Sequence, residues 1–246
     1  MVLLYFLVLP GVLLAVGYWL FMSPFSQLFG KYPFKVKTRK KIIALTFDDG
    51  PNEPYTSQIV DYLNRKSVKA TFFQVGRCVE RYPEISKKIV DSGHVIGNHS
   101  LSHAFRNNFL SLGFKNEILA NQAILQRYTN KTPALFRSPW LWRQPWLFET
   151  LRNNSIQPVS GVFGHAFEVL RPSAKRIAKH ALAKSTPGAI IIFHDGIEGR
   201  GGNRQQTVEA TKITVEELIK RGFTFVTVDQ LLNVPAYQNS THTQQF

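Results

Sequence analysis

An apolar run, Ile42-Ile43-Ala44-Leu45, ends in Thr46-Phe47-Asp48-Asp49-Gly50-Pro51. Two adjacent carboxylates at the end of a buried strand repel one another and lose hydration, and a cation beside them relieves both costs. The pair therefore reads as half of a metal and acid/base site, although Asp-Asp-Gly-Pro is also a good loop opener. His99 and His103 offer the other half. Four residues apart, they share one face of a helical turn and can share a cation; alone, such a pair is more often surface decoration. Joined to Asp49 they make two nitrogens and one oxygen, a ligand set for a catalytic divalent ion with positions open to water and substrate. Zinc fits best, with cobalt, manganese or nickel able to use the same set, whereas magnesium and calcium prefer oxygen alone. Side chains alternate along a strand, which keeps Asp48 off the ion and leaves it available as a general base. His194, after the apolar strand Ile190–Phe193, can reach the same place as a general acid; a lone histidine satisfied by a backbone carbonyl is the commoner case.

These residues have to be carried by something regular. The pattern predicts strands at Ile42–Phe47, Ala70–Val75, Val95–Gly97, Leu135–Arg137, Pro158–Val162, Ala189–Phe193 and Thr224–Val228. Helices are predicted at Ser57–Lys66, Pro83–Ser92, Asn116–Tyr128, Pro145–Asn153, Ser173–Lys184 and Thr207–Arg221. The third of these strands is followed by His99 and His103, the fourth by Ser138-Pro139-Trp140, and the sixth by His194-Asp195-Gly196. About seven β/α units predict an α/β fold, a parallel (β/α) barrel with helices outside and its chemistry at the C-terminal ends of the strands; an open doubly wound sheet is the alternative.

The 246 residues suffice for one large α/β domain, and 44% hydrophobic with 19% charged residues excludes general disorder. Cys78 is the single cysteine, which excludes an internal disulfide and a cysteine-based zinc site. The formal charge is +14, yet residues 1–30 hold no charged side chain, so the excess lies on the remainder. Such a surface favours polyanions, but no nucleic-acid module accompanies it, and no nucleic-acid partner is expected. Residues 1–22 are apolar and long enough to cross a bilayer. A cleaved signal peptide is disfavoured because a basic leader and a small-residue cleavage site are missing. The expected organisation is a single-pass membrane anchor and flank at 1–30, a basic juxtamembrane collar at 31–41, a catalytic domain at 42–234 and a flexible polar tail at 235–246. Lys31, Lys35, Lys37, Arg39, Lys40 and Lys41 form the collar. By the positive-inside rule it argues for a cytoplasmic domain, and it serves equally as a headgroup contact.

Thr46–Pro51, His99–His103, Arg137-Ser138-Pro139-Trp140 and Ile190–His194 stand in an order and at spacings that resemble the polysaccharide deacetylases, the NodB-like domains of carbohydrate esterase family four. The resemblance covers roughly Lys41 to Leu232. It implies a distorted (β/α) barrel and a metal-dependent hydrolase that removes N- or O-acetyl groups from sugars by activating water. Peptidoglycan and chitin-like N-acetylglucosamine polymers would be the substrates. Such substrates place the catalytic domain outside the cytoplasm, against the charge bias of the collar. Carried onto this chain, the resemblance makes Asp48 the general base, Asp49, His99 and His103 the metal ligands, and Arg137 the residue that orders the catalytic carboxylate. His194 becomes the general acid, and Pro139, Trp140 and Ile192 become substrate-binding positions. One motif is unmatched: Ala166 falls where the family carries a carboxylate that tunes the acid histidine, with Asp195 or Glu168 as substitutes. A deacetylase or deformylase of a lipid-linked sugar at the membrane is the alternative, and a non-catalytic glycan-binding relative is a third reading.

Overall fold

The computed structural model describes the backbone of residues 2–108 and 111–239 and the side chains of 8–107 and 112–239. Among the described residues the strands are β1 (Ile42–Asp48), β2 (Thr71–Gln74), β3 (Val95–Asn98), β4 (Leu135–Phe136), β5 (Gln157–Pro158), β6 (Val162–Phe163), β7 (Ile190–His194) and β8 (Thr224–Phe225). The helices are α1 (Val2–Phe21), α2 (Tyr55–Arg65), α3 (Gly76–Arg81), α4 (Pro83–Asp91), α5 (Ser111–Thr129), α6 (Pro145–Asn153), α7 (Ala174–Lys184), α8 (Gln205–Lys220) and α9 (Val228–Leu232). All pairings between strands are parallel, in the order β5-β4-β3-β2-β1-β7-β6, with β8 on the lower part of β1. The two ends of that order are consecutive in sequence, so the sheet curls around until one short segment joins its edges.

β1 lies at the centre, and six of its seven residues are buried, as a strand covered on both faces requires. Its alternation separates two environments. Phe47 faces the helices and stacks on its register partners Phe72 and Phe193, with ring centroids 4.9 and 5.9 Å away. Burying each such ring contributes on the order of 2–3 kcal/mol. Thr46 and Asp48 point the other way, into the barrel, where both meet the guanidinium of Arg137.

The structure differs from the sequence-based expectation in four places. The predicted strand Pro158–Val162 is broken: Gln157 and Pro158 pair with β4, while Val162 and Phe163 pair with β7. The break frees backbone groups that need partners. Arg137 supplies two of them, donating from Nε to Val159 O at 3.3 Å and from Nη2 to Ser160 O at 2.9 Å. The chain ahead of β1 supplies another, since Pro33 O accepts from Ser160 N, and it continues beside the foot of β7, where Phe34 O accepts from Ile190 N and Val36 N donates to Gly188 O. Gly188 has a φ of +79°, and any Cβ there would collide with Val36 O.

Second, His99 and His103 are not on a helical turn. They sit in a loop in which Ser100 (φ 67°) and His103 (φ 55°) are left-handed. Asn98 Oδ1 accepts from Ser100 N, and Ser100 Oγ from His103 N, and these two bonds hold the turn. Third, two helices form that the pattern does not predict: α3 between β2 and α4, and α9, which follows a strand cut to Thr224–Phe225 from the expected Thr224–Val228. Fourth, residues 236–238, expected in the loose tail, bind the barrel: Ala236 O accepts from Ala134 N, Tyr237 OH from Ile96 N, and Gln238 N donates to Thr132 O. Residues 240–246 of that tail lie outside the described residues.

α1 is a 20-residue uncharged helix. Among the described residues no helix is long and apolar enough to cross a membrane, and the span predicted over residues 1–22 lies partly outside them. Its C-terminal end meets the loop after β4: Phe21 O accepts from Arg143 N at 3.0 Å, and the Phe21 ring stacks on Trp142. From there the chain descends along the broken strand to the foot of β7.

Candidate active site

Asp48 is the last residue of β1 and pairs in register with His194, the last residue of β7. Adjacent parallel strands thus deliver a carboxylate and an imidazole to the same end of the sheet. Asp48 is 3% exposed, and its Oδ1 accepts from Arg137 Nη1 at 2.6 Å. The same Nη1 donates to Thr46 Oγ1 at 2.7 Å. Arg137 is fully buried, lies 4.2 Å over the Phe73 ring, and directs each of its side-chain hydrogen bonds to β1 or to the broken strand. A guanidinium fork suits this task because it reaches several fixed acceptors at once.

Asp49 turns away from its neighbour. Its φ of 77° takes it out of the strand and aims its carboxylate at the histidine loop. His103 Nε2 lies 3.1 Å and His99 Nε2 3.3 Å from Asp49 Oδ1. The ligand atoms of the three residues all fall within 4.8 Å of one another, and all three residues are buried. His99 Nδ1 lies 2.7 Å from Arg137 O, so it carries the proton and leaves Nε2 with a lone pair facing inward. Asp49 Oδ2 accepts from Glu198 N, but buried Oδ1 has no directed hydrogen bond. Burial works to raise the pKa of Asp49, yet the imidazoles of His103 and His99 outweigh it and hold the carboxyl well below its usual range. An orphaned carboxylate oxygen facing two imidazole nitrogens fits a divalent cation with nitrogen and oxygen ligands.

His194 has the partner that the unmatched motif left open. Its Nδ1 lies 3.0 Å from Glu168 Oε2, while Glu168 Oε1 accepts from Thr207 Oγ1 at 2.6 Å. Burial favours neutral imidazole, but the hydrogen bond and charge of Glu168, with Asp49 and Asp48 beyond, raise the His194 pKa to about 9. Arg204, itself buried, ties the surroundings together by donating from Nε to Gly196 O and from Nη1 to Glu168 O. Asp195, the other substitute considered, is engaged elsewhere: its Oδ2 accepts from Thr56 Oγ1 at 2.5 Å. Burial, only partly offset by Thr56, pushes its pKa up to about 7.

Among the expected substrate-binding residues, Trp140 is half-buried at the mouth, its ring 4.3 Å from that of His103. It and Leu141 have left-handed φ values of 53° and 56°, so the loop after β4 turns sharply there. Pro139 is buried and Ile192 is fully buried against Tyr32 and Leu141. Sequence reasoning missed Arg204 and Thr207. A lone arginine ahead of a helix and a threonine in its first turn carry no signal that separates them from ordinary surface residues.

The family model described as polysaccharide deacetylase matches residues 35–159. A peptidoglycan-N-acetylglucosamine deacetylase of Bacillus cereus is 35% identical over 204 residues, covering 82% of this chain and 93% of that protein. A crystal structure of the peptidoglycan N-acetylglucosamine deacetylase Bc1960 superposes with a TM-score of 0.78 at 31% identity, over 84% of this chain and 95% of the other. A family 4 acetyl xylan esterase from Clostridium thermocellum, in complex with a cobalt ion, gives a TM-score of 0.69 at 33% identity, covering 80% and 94%. The matched stretch contains Asp48, Asp49, His99, His103 and Arg137; the chain belongs to the polysaccharide deacetylase family, the NodB-like hydrolases of carbohydrate esterase family four.

Proposed function

We propose that this protein hydrolyses the N-acetyl group of N-acetylglucosamine residues in peptidoglycan, with chitin-like oligomers as the related substrate. The observation that carries the reading is the division of one strand-end site into a base half and an acid half around Asp49, His99 and His103. A divalent cation held by those three residues, zinc by preference, supplies Lewis acidity to water and to the acetyl carbonyl. Asp48, fixed by Arg137, accepts the proton of the attacking water. His194 is protonated near neutral pH because Glu168 faces its Nδ1, and its Nε2–H goes to the departing sugar nitrogen. The carbon–nitrogen bond breaks to release acetate and the free amine. A base and an acid with separated pKa values are what amide hydrolysis near neutrality needs. The likeness to the Bacillus cereus peptidoglycan deacetylase supports the choice of polymer.

Within this reading, residues 42–234 are the catalytic unit, residues 1–30 are the membrane anchor and its flank, and the catalytic unit lies outside the cytoplasm. The lack of charge over residues 1–30 and the exposure of Val8, Leu9, Val12, Leu13 and Leu14 support an anchor. A tag after Phe246 should then be reached by antibody on intact cells. The enzymatic reading is tested by acetate release from N-acetylglucosamine oligomers and from purified peptidoglycan. Asp48→Asn should lower kcat by a factor of about a hundred or more. Wild-type activity retained in that variant would refute the assignment.

A further inference from the structure

Next to the metal-site residues a cleft of about 650 Å³ opens on the His103 side, within the size range of small-ligand sites. Trp140, Phe105, Arg77, Glu198 and Met22 are among the residues that line it. Met22 is the residue that follows α1, and it lies outside residues 35–159 that the family model matches. The aromatic rings form a continuous path from the metal-site residues to the helix: His103 to Trp140 at 4.3 Å, Trp140 to Phe105 at 5.0 Å, Phe105 to Trp142 at 5.5 Å, and Trp142 to Phe21 at 5.4 Å. Pyranose rings carry apolar C–H faces that pack on such surfaces while their hydroxyls stay in water.

The end of α1 is held at this cleft. Arg143 is fully buried, donates to Ser26 O and Leu141 O, and lies 4.7 Å over the ring of buried Tyr32. Tyr32 OH in turn accepts from Ser138 N, between Arg137 and Pro139. Ser160 Oγ donates to Pro24 O, and Ser26 Oγ to Leu20 O. Met22 therefore has a position defined by the loop that carries Trp140, and it is part of the cleft rather than of a free linker.

We propose that the N-terminal segment builds a distal glycan subsite: Met22 closes a cleft in which sugar residues neighbouring the one being deacetylated stack on Trp140 and Phe105. The inference deepens the deacetylase reading and rests on it. It requires the protein to favour oligomers long enough to reach Met22, and to owe that preference to the end of α1. The occupant is a neutral or acidic β-linked hexosamine chain, recognised by ring faces.

The test compares kcat/KM for acetate release from the di- and pentasaccharide of N-acetylglucosamine, using the zinc-loaded full-length chain and its Met22→Ala and Met22→Leu variants. Met22→Ala should lower the pentamer-to-dimer ratio about fivefold, through KM, and Met22→Leu, which restores apolar bulk, should recover most of it. Titrating metal-free protein with the pentamer by tryptophan fluorescence should show the same order of affinities without turnover. An unchanged ratio in Met22→Ala, or an equal fall for both substrates, overturns the subsite. Wild-type protein that releases no acetate from any oligomer or from peptidoglycan sinks the deacetylase reading instead; pentamer binding that still weakens in Met22→Ala would keep the cleft as a glycan site.

Discussion

Replacing Glu168 by Gln removes a charge and keeps the shape, and the surrounding hydrogen bonds dictate how the amide must sit. Thr207 Oγ1 donates to Glu168 Oε1, so it will hold the amide oxygen and turn the NH2 toward His194 Nδ1. Facing a donor, Nδ1 can only accept, which favours neutral imidazole. Burial pulls in the same direction, so the His194 pKa should fall from about 9 to its ordinary 6.5 or below. The raised value means that the acid form exists below about pH 9 and is lost as pH rises through it; any stability drawn from the pair is likewise fully present below pH 6.5 and disappears across the same window. At pH 8 roughly nine-tenths of His194 is protonated in the wild type against about 3% in the variant, so kcat should drop about thirtyfold. At pH 6 both forms are largely protonated, and the drop should shrink to less than about twofold. A bound cation offsets part of the pull of Asp49, which places the wild-type alkaline limb at or somewhat below 9. The assay is the pH profile of kcat for acetate release from zinc-loaded protein, with thermal melts to exclude unfolding. An alkaline limb that stays in place, or an equal loss at every pH, would refute the role given to Glu168.

Three other outcomes follow from the same geometry. Arg137→Lys can keep the charge beside Asp48 but cannot reach Thr46, Val159 and Ser160 together; urea unfolding should show a loss of about 2–4 kcal/mol, along with a marked fall in kcat. Tyr32→Phe leaves the buried N–H of Ser138 without its acceptor and should cost about 1–3 kcal/mol in the same measurement. Zinc at about a hundred times its dissociation constant should add about 2.7 kcal/mol and raise the Tm by several degrees, and His103→Ala should abolish the effect in differential scanning calorimetry.

Much of the site was legible because its residues are costly where they stand. Two carboxylates at a strand end need a reason, and strand alternation separates them; the left-handed turn at Asp49 that aims it at the histidines has no signal in the sequence. The histidine pair was found through helical geometry that the chain does not use: left-handed Ser100 and His103 bring the rings together instead. The broken strand was hidden, since Pro158-Val159-Ser160-Gly161-Val162 reads as one extended run and only the demand of β4 and β7 for separate partners splits it. The choice between Glu168 and Asp195 could not be made from sequence. It depends on Thr56 reaching one carboxylate and Thr207 the other, over separations of 139 and 39 residues. Ile192 is a substrate-binding position only by what the resemblance implies; two residues back along β7 from His194, it is fully buried against Tyr32 and Leu141.

The hydrogen bonds of Pro24 and Pro33 to Ser160 in the break, and of Phe34 and Val36 to Ile190 and Gly188 at the foot of β7, limit where the polypeptide can be shortened. A fragment that starts at Ile42, where β1 begins, would lack the chain that lines this seam and the tyrosine beneath Ser138. A fragment that starts at Ser23 would retain both. A cut just after residue 22 would keep this seam covered but take Met22 and the Phe21 ring away from the cleft beside Trp140, and a cut within the collar would open the barrel at the side as well.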